Sequence, residues 1–427
     1  MVAAVDLNPH PRVDTAQPVA SIWQMSPSLA IVTQFYPPDF AATGQFIAEL
    51  AEELAARSVP VRVFTGQPGY AYTQTNAPRE EIQSGVLIQR TASAQYVPQR
   101  IRGKLINGLI YSLRCAIKLR RPPVRGAHTL YTSAPPFLPV VGWFYHKVLG
   151  HPYSCIVYDI YPDVAVRLGV VGARHPLTRL WDFFNARVWR RASAIVVLSE
   201  PMRRLVCQKH PDLAAKVFVV PSWANPDAIR PLPKSQNWFA QKHHLDRRFT
   251  VLYSGNLGRC HDAETLAAAI GLLADANMQF VFVGNGAGYQ ALQKASANCP
   301  HVLFLPYQAP EVLPYSLTAC DVSVVSLCYN MGDVVAPSKF YGMLAAGRPV
   351  VAICRDDCYL KPLLEENQCG RAFANGDAAG LAAFLRSLQA DPALAEAMGQ
   401  RALQLLLDRF TLQHAAQGYL QALGLAR

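Results

Sequence analysis

The feature that most constrains this chain is a rhythm that it repeats. Leu29-Ala30-Ile31-Val32-Thr33 is a short apolar run that reads as a buried strand. A turn bearing prolines and Gly44 follows it. Helical spacing of Phe46, Leu50 and Leu54 then spans residues 45–57, and residues 60–64 read as a second strand. Adjacent parallel strands need a crossover long enough to hold a helix, so strand, loop, helix, strand opens a parallel α/β sheet. Later strands of this unit are expected at residues 86–89, 129–131, 153–158, 194–198 and 217–220. Past Pro221 the rhythm starts again. Residues 249–254 read as a strand, Gly255-Asn256-Leu257-Gly258 as a turn, and a helix is expected from Asp262, a good N-cap, to residue 273. Strands at 279–283, 301–305, 321–326 and 349–353 fill out the second unit. The fold class is therefore α/β, with two doubly wound parallel sheets of Rossmann type facing a cleft.

Composition sets the remaining bounds. A length of 427 residues suits two or three domains, and 51% hydrophobic against 16% charged residues excludes a disordered chain. Residues 1–27 read as a loose extension, 28–225 as the first domain and 226–408 as the second, with the prolines of 224–234 making a stiff linker. Residues 391–423 are largely helical, opened by Pro392 behind an Asp391 cap. No apolar run reaches the roughly 18 residues of a membrane span, and the N-terminus has neither the basic nor the apolar region of a signal peptide. The ten cysteines stand without a C-x-x-C pair, as expected of free thiols in a reducing cytoplasm. Cys354, Cys358 and Cys369 have no histidine nearby and make a poor zinc set, so no metal is expected.

The net charge of +11 lies wholly in residues 1–230, which carry 25 Lys and Arg against 14 Asp and Glu, whereas residues 231–427 carry 15 of each. Much of the excess falls between Arg90 and Arg125, a stretch without an acid. No helix-turn-helix, RNA-binding signature or zinc finger accompanies it, so nucleic acid is not the expected partner. Leu105, Leu109, Leu113 and Ile117 recur there at helical spacing, with Lys104, Arg114, Lys118 and Arg121 around them. Two readings stand: an ordinary surface helix packed on its own sheet, or a helix lying on anionic lipid.

Several motifs agree on a family. They are Q-F-Y-P-P-D-F-A-A-T-G-Q (Gln34 to Gln45), Y-D-I-Y-P-D (Tyr158 to Asp163), A-I-V-V-L-S-E (Ala194 to Glu200) and V-V-P-S-W-A-N-P-D (Val219 to Asp227). Y-S-G-N-L-G (Tyr253 to Gly258), F-V-G-N-G (Phe282 to Gly286) and A-P-S-K-F-Y-G-M-L-A-A-G-R-P-V (Ala336 to Val350) complete the set. Over residues 28–424 the chain resembles the retaining sugar-nucleotide glycosyltransferases of family 4, in the branch that builds O-antigen, capsule and exopolysaccharide and includes enzymes similar to N-acetylfucosamine transferases. The resemblance implies the two-domain GT-B fold, with a helix over residues 409–427 packing back on the first domain. It further implies a nucleotide-sugar donor on the second domain, a polyprenyl-diphosphate-linked saccharide acceptor on the first, and no cofactor or catalytic metal. The implied location is cytoplasmic, peripheral on the inner face of the plasma membrane.

A departing nucleoside diphosphate gathers negative charge, so stabilising it is the main electrostatic task. Pro337-Ser338-Lys339 opens a helix whose free N–H groups can face phosphate, and Lys339 adds a full charge. Arg259, after the turn begun by Gly255, is a second candidate cation. The family's usual arginine and lysine fall on Asn256 and His261; the histidine is either protonated beside the diphosphate or an ordinary loop residue. Gly44 would let backbone approach a ligand closely. Asp159, at a strand end that the resemblance puts on the acceptor side, either orients or deprotonates the acceptor hydroxyl or caps its own turn; Asp163 is the weaker candidate. The resemblance puts Tyr307 in the loop that meets the nucleobase, whereas Asp356-Asp357 reads as a solvated loop. The family's two glutamates around P-S-K fall on Val334 and Gly342, with Asp333 one residue out of register. A valine facing the sugar would favour a deoxy- or N-acetylamino-deoxy-sugar, unless Asp333 or a backbone carbonyl takes the glutamate's place. Two other classes stay open: a non-catalytic scaffold of a polysaccharide assembly complex, and a UDP-N-acetylglucosamine epimerase, which needs more acids and histidines than the cleft motifs offer.

Overall fold

The computed structural model describes residues 29–39, 41–69, 77–92, 101–119, 127–297 and 299–426. The extension expected over residues 1–27 lies outside them, as do Arg100, Arg120, Arg121 and Arg125 of the basic stretch and the side chains of Arg102, Lys104 and Leu105.

The first unit runs β1 (Leu29–Val32), α1 (Ala42–Ala56), β2 (Val61–Gly66), β3 (Glu80–Gln83), β4 (Val86–Thr91), α2 (Ile101–Lys118) and β5 (His128–Thr132). It continues with α3 (Pro139–Leu149), β6 (Tyr153–Val157), α4 (Asp163–Arg167), α5 (Pro176–Arg191), β7 (Ile195–Val197), α6 (Glu200–Lys209) and β8 (Val217–Val219). The strands lie in the order β3-β4-β2-β1-β5-β6-β7-β8, and only β3 is antiparallel to its neighbour. Strand side chains alternate between faces. Ala30 and Val32 therefore join Tyr111, Tyr145, Trp189 and Met202 beneath α2, α3, α5 and α6, while Leu29 and Ile31 join Leu50 and Leu54 beneath α1.

β3 was absent from the sequence expectation. Its residues Glu80, Glu81, Ile82 and Gln83 are mostly exposed and give no apolar run. It is held by a two-residue turn in which Ser84 (φ 47°) and Gly85 (φ 77°) both take positive φ, the twist that suits a tight hairpin.

The second unit runs α7 (Trp238–Lys242), β9 (Phe249–Ser254), α8 (Glu264–Leu272), β10 (Met278–Val283), α9 (Ala287–Ala295), β11 (Val302–Leu305), α10 (Leu313–Thr318) and β12 (Val322–Ser326). α11 (Lys339–Ala345), β13 (Val350–Ile353), α12 (Leu360–Glu366), β14 (Gly370–Phe373), α13 (Ala378–Ala390), α14 (Pro392–Arg409) and α15 (Leu412–Ala422) follow. Its six strands are all parallel, ordered β11-β10-β9-β12-β13-β14. Asp262 does cap: its Oδ1 accepts from the Thr265 N–H at 2.9 Å, although the regular helix starts at Glu264.

Among the described residues, two buried clusters bind the units together. α15 crosses back, placing Ala416 and Tyr419 in the same buried cluster as Leu29 and Ile31. Behind β6, Ile160 and Val164 share a cluster with Leu327, Met331 and Val334 of the second unit, and the Ile160 N–H donates to the Val334 carbonyl at 2.9 Å.

Candidate active site

The loops at the carboxyl ends of β6, β9, β10 and β12 meet where the two units face each other, the usual ligand position in open parallel sheets. β9 ends in Gly255, whose φ of 119° turns the chain sharply. A Cβ added there would lie in ordinary contact with Lys339, 3.4 Å from the lysine Cε, so it is the φ that calls for glycine. Gly284 and Gly286, behind β10, lie against the carbonyls of Gly255 and Leu257, so the two loops pack backbone to backbone.

Lys339 is the centre of this cluster. Its Nζ donates to the Tyr253 hydroxyl at 2.6 Å and to the Asn256 carbonyl at 2.7 Å, and stands 3.4 Å from His261 Nε2. Burial pushes the ammonium down to about 7. The site is thus built to carry a cation but strips it of water, so an arriving anion gains an unusually strong interaction. α11 has only seven residues, and the Ser338 side chain makes no cap hydrogen bond. Lys339, rather than the helix end, is the main positive group.

His261 is not a second cation. Its Nδ1 accepts from the Gly258 N–H at 3.2 Å, and burial, reinforced by the neighbouring ammonium, pushes the ring down to about 3. Burial and the neighbouring ammonium thus favour the neutral ring, the ordinary loop residue of the two readings. Lys339 instead brings an ammonium to the loop where Asn256 and His261 stand. Arg259 is exposed and donates across the cleft to the Leu168 carbonyl at 3.0 Å.

On the opposite wall, Asp159 forms an isolated antiparallel bridge with Val335, and burial pushes its carboxyl up to about 6. Asp163 is elsewhere occupied, paired with Lys209 at 2.8 Å. Tyr307, 58% exposed, stands beyond β11, while Pro337 is buried ahead of α11.

Three further expectations are corrected. Val334 is fully buried beneath Ile160 and faces no ligand. Gly342 turns its Cβ direction toward Leu317 and Ile229 in the domain interior. Asp333 is taken up by Arg167, which gives it two hydrogen bonds, one of 2.9 Å, and a third of 2.6 Å to the Asn330 carbonyl. Gly44 also differs from expectation: an added Cβ would meet the Phe35 and Tyr36 backbone at 2.9–3.0 Å, so it seats the first loop on α1 rather than opening it to a ligand. Asp356 and Asp357 are exposed and paired with Lys361 and Arg355.

Two residues of the site carried no sequence signal of their role. Tyr253 lies in a recognisable motif but acts through a lysine 86 positions away, and Arg167 lies in none.

The comparisons with known proteins agree with the two-unit fold. The model of the glycosyl transferase 4-like domain matches residues 42–223, and that of glycosyl transferases group 1 matches residues 248–391. The chain is 25% identical over 276 residues to a protein of Pseudomonas aeruginosa described as glycosyltransferase WbjE, covering 63% of this chain and 68% of that one. It is 24% identical over 342 residues to a protein of Escherichia coli K12 described as the colanic acid biosynthesis glycosyl transferase WcaI, covering 73% and 79%. Sucrose-phosphate synthase of Thermosynechococcus elongatus has the same fold, with a TM-score of 0.72 at 19% identity over 93% of this chain and 99% of that one. So does Anabaena HepE in complex with UDP-glucose, with a TM-score of 0.70 at 15% identity and the same coverage. The chain belongs to the GT-B glycosyltransferases of family 4, a glycosyl transferase 4-like domain followed by a group 1 domain.

Proposed function

We propose that this glycosyltransferase acts with retention in surface polysaccharide biosynthesis. It moves a sugar from a nucleoside-diphosphate donor to a polyprenyl-diphosphate-linked saccharide at the inner face of the plasma membrane, without a metal or other cofactor. The observation that carries the reading is the desolvated Lys339 ammonium, held by Tyr253 and Asn256 at the carboxyl ends of the second sheet. The likeness to HepE, solved with UDP-glucose, and to a colanic acid enzyme supports the donor class and the polysaccharide setting.

In this reading the donor's anomeric C–O bond breaks and its electron pair passes to the diphosphate, whose growing charge Lys339 stabilises, with Arg259 at the cleft edge. Asn256, Gly255, Pro337 and Ser338 shape the diphosphate pocket, His261 hydrogen-bonds as a neutral ring, and Tyr307 flanks the base. The acceptor oxygen bonds to the anomeric carbon on the face the diphosphate leaves, and its proton passes to Asp159. A screen of nucleotide-sugars for thermal stabilisation identifies the donor. Transfer to a synthetic polyprenyl-diphosphate saccharide, with the product's anomeric configuration read by NMR, then tests the reaction. An inverted product, or no transfer with any stabilising donor, overturns the proposal.

A further inference from the structure

We infer that the first domain docks on an anionic lipid bilayer through an apolar face of three helices, in which α3 and α5 insert side chains beside the stripe on α2. This deepens the membrane-bound acceptor proposed above and rests on that reading. Among the described residues, nineteen large apolar side chains are exposed, and ten of them belong to α2, α3 and α5. Scattered single apolar residues on a surface are ordinary, whereas such a concentration marks a contact site.

On α2, Leu109, Leu113 and Ile117 are 52–66% exposed along one stripe. On α3, Phe144, Val148 and Leu149 are 47–59% exposed; on α5, Leu177, Leu180 and Phe183 are 47–52% exposed. The three helices cover the same face of the sheet, and their inner sides are well packed: Tyr145 of α3 donates to the Ala116 carbonyl of α2, and Trp143 meets Phe184 of α5 edge-on at 6.5 Å. The outward residues are therefore surplus to the core. The opposite layer differs: neither α1 nor α15 exposes a single large apolar side chain.

Charge selects the occupant. No Asp or Glu occurs from residue 82 to residue 158, and the one acid on α5, Asp182, is paired with Lys209 at 2.8 Å. Lys147 flanks the Trp143 ring at 5.6 Å, and the Arg187 guanidinium lies 3.3 Å over the Phe183 ring. Cations set around protruding aromatic and aliphatic groups match an anionic headgroup layer over acyl chains. Arg90, by contrast, is buried and donates to the Pro37 carbonyl, so it belongs to the fold and not to this surface.

The test is flotation with vesicles of mixed phosphatidylglycerol and phosphatidylcholine. Wild type should float, and the combined variant Phe144→Ser, Leu180→Ser, Phe183→Ser should bind at least about tenfold more weakly, because each change removes an inserted apolar group. Its thermal midpoint and nucleotide-sugar binding should stay unchanged, since all three side chains are exposed. In Phe183→Trp, the added fluorescence should shift to the blue and be quenched by brominated acyl chains. The inference is overturned if wild type does not float, if it floats equally on neutral phosphatidylcholine, if the triple variant floats like wild type, or if Trp at 183 stays unquenched. A wild-type dimer that the triple variant dissolves would assign the face to a second copy instead. Donor binding and transfer to a short-chain acceptor without vesicles report on the proposed function alone, so failure of either reading is seen separately.

Discussion

The Lys339 ammonium donates to the Tyr253 hydroxyl at 2.6 Å and stands 4.3 Å from the centre of the same ring. One aromatic residue from β9 thus engages the cation twice, through an acceptor oxygen and through the negative face of its π-system. Both contacts offset part of the cost of taking the ammonium out of water. Neither neutralises it, so the charge stays available to an anion.

Replacing Lys339 should cost catalysis and gain stability. Lys339→Met is expected to lower transfer about 10²–10³-fold, the scale of losing one preorganised charge stabiliser. Because burial lowers the lysine pKa below its unfolded value, the buried charge destabilises the fold most at and below pH 7, and the cost fades toward pH 10. The variant should therefore melt higher than wild type at pH 6, with the difference shrinking at pH 9. Transfer within a few-fold of wild type would remove Lys339 from the site.

The same titration predicts how donor binding depends on pH. With the free lysine near 7 and a diphosphate favouring its charged form, binding takes up a proton. Affinity should be flat below pH 7 and fall by up to about tenfold per pH unit above it. Calorimetry in buffers of different ionisation enthalpy measures the uptake directly. Lys339→Arg, always charged, should abolish this dependence.

Asp159 gives a second, opposite signature. With its carboxyl pushed up to about 6, the base form is lost as pH falls through that value, so kcat should decline below pH 6. Asp159→Asn is expected to lower kcat about 10²-fold or more with little change in donor binding. A raised folded-state pKa also means that the ionised carboxylate costs stability above about pH 4, in full above 6. The asparagine variant should melt higher at pH 7 and show no gain at pH 4. A wild-type kcat with an unchanged acid limb would leave Asp159 a turn residue only.

The sheets were legible because their strands announce themselves. Residues 29–32, 249–254 and 350–353 are apolar runs between turn residues, as strands buried on both faces must be. The polar hairpin strand at 80–83 had no such signal. At the candidate site, the motif around Lys339 pointed to a lysine that the fold does hold between Tyr253 and Asn256, but register alone misjudged its surroundings. Counting along the chain placed Val334 opposite a sugar, whereas Ile160 from the other domain covers it. Local sequence does not encode which distant segment will lie against a loop, and for the same reason Arg167 went unseen.

That arginine supplies a test of what Asp333 does. Burial would push the Asp333 carboxyl up, but the hydrogen bonds and charge of Arg167 outweigh it and hold the group below its ordinary value. Both oxygens are engaged, since Arg167 reaches Asp333 through two nitrogens, and Arg167 also ties down the Asn330 carbonyl. The pair joins α4 of one domain to the β12–α11 loop of the other, beside the backbone bridge from Asp159 to Val335. On this geometry the pair is expected to hold the loop that leads into Lys339 rather than to read a donor hydroxyl. Asp333→Ala and Arg167→Ala should each lower kcat/KM about tenfold, and the double variant should be no worse than either, a coupling of about 1–2 kcal/mol for a partly exposed charged pair. The ratio of rates with UDP-glucose and its 6-deoxy analogue should be the same in all four proteins. If Asp333→Ala shifts that ratio while Arg167→Ala does not, the carboxylate touches the sugar and the clasp is not its role.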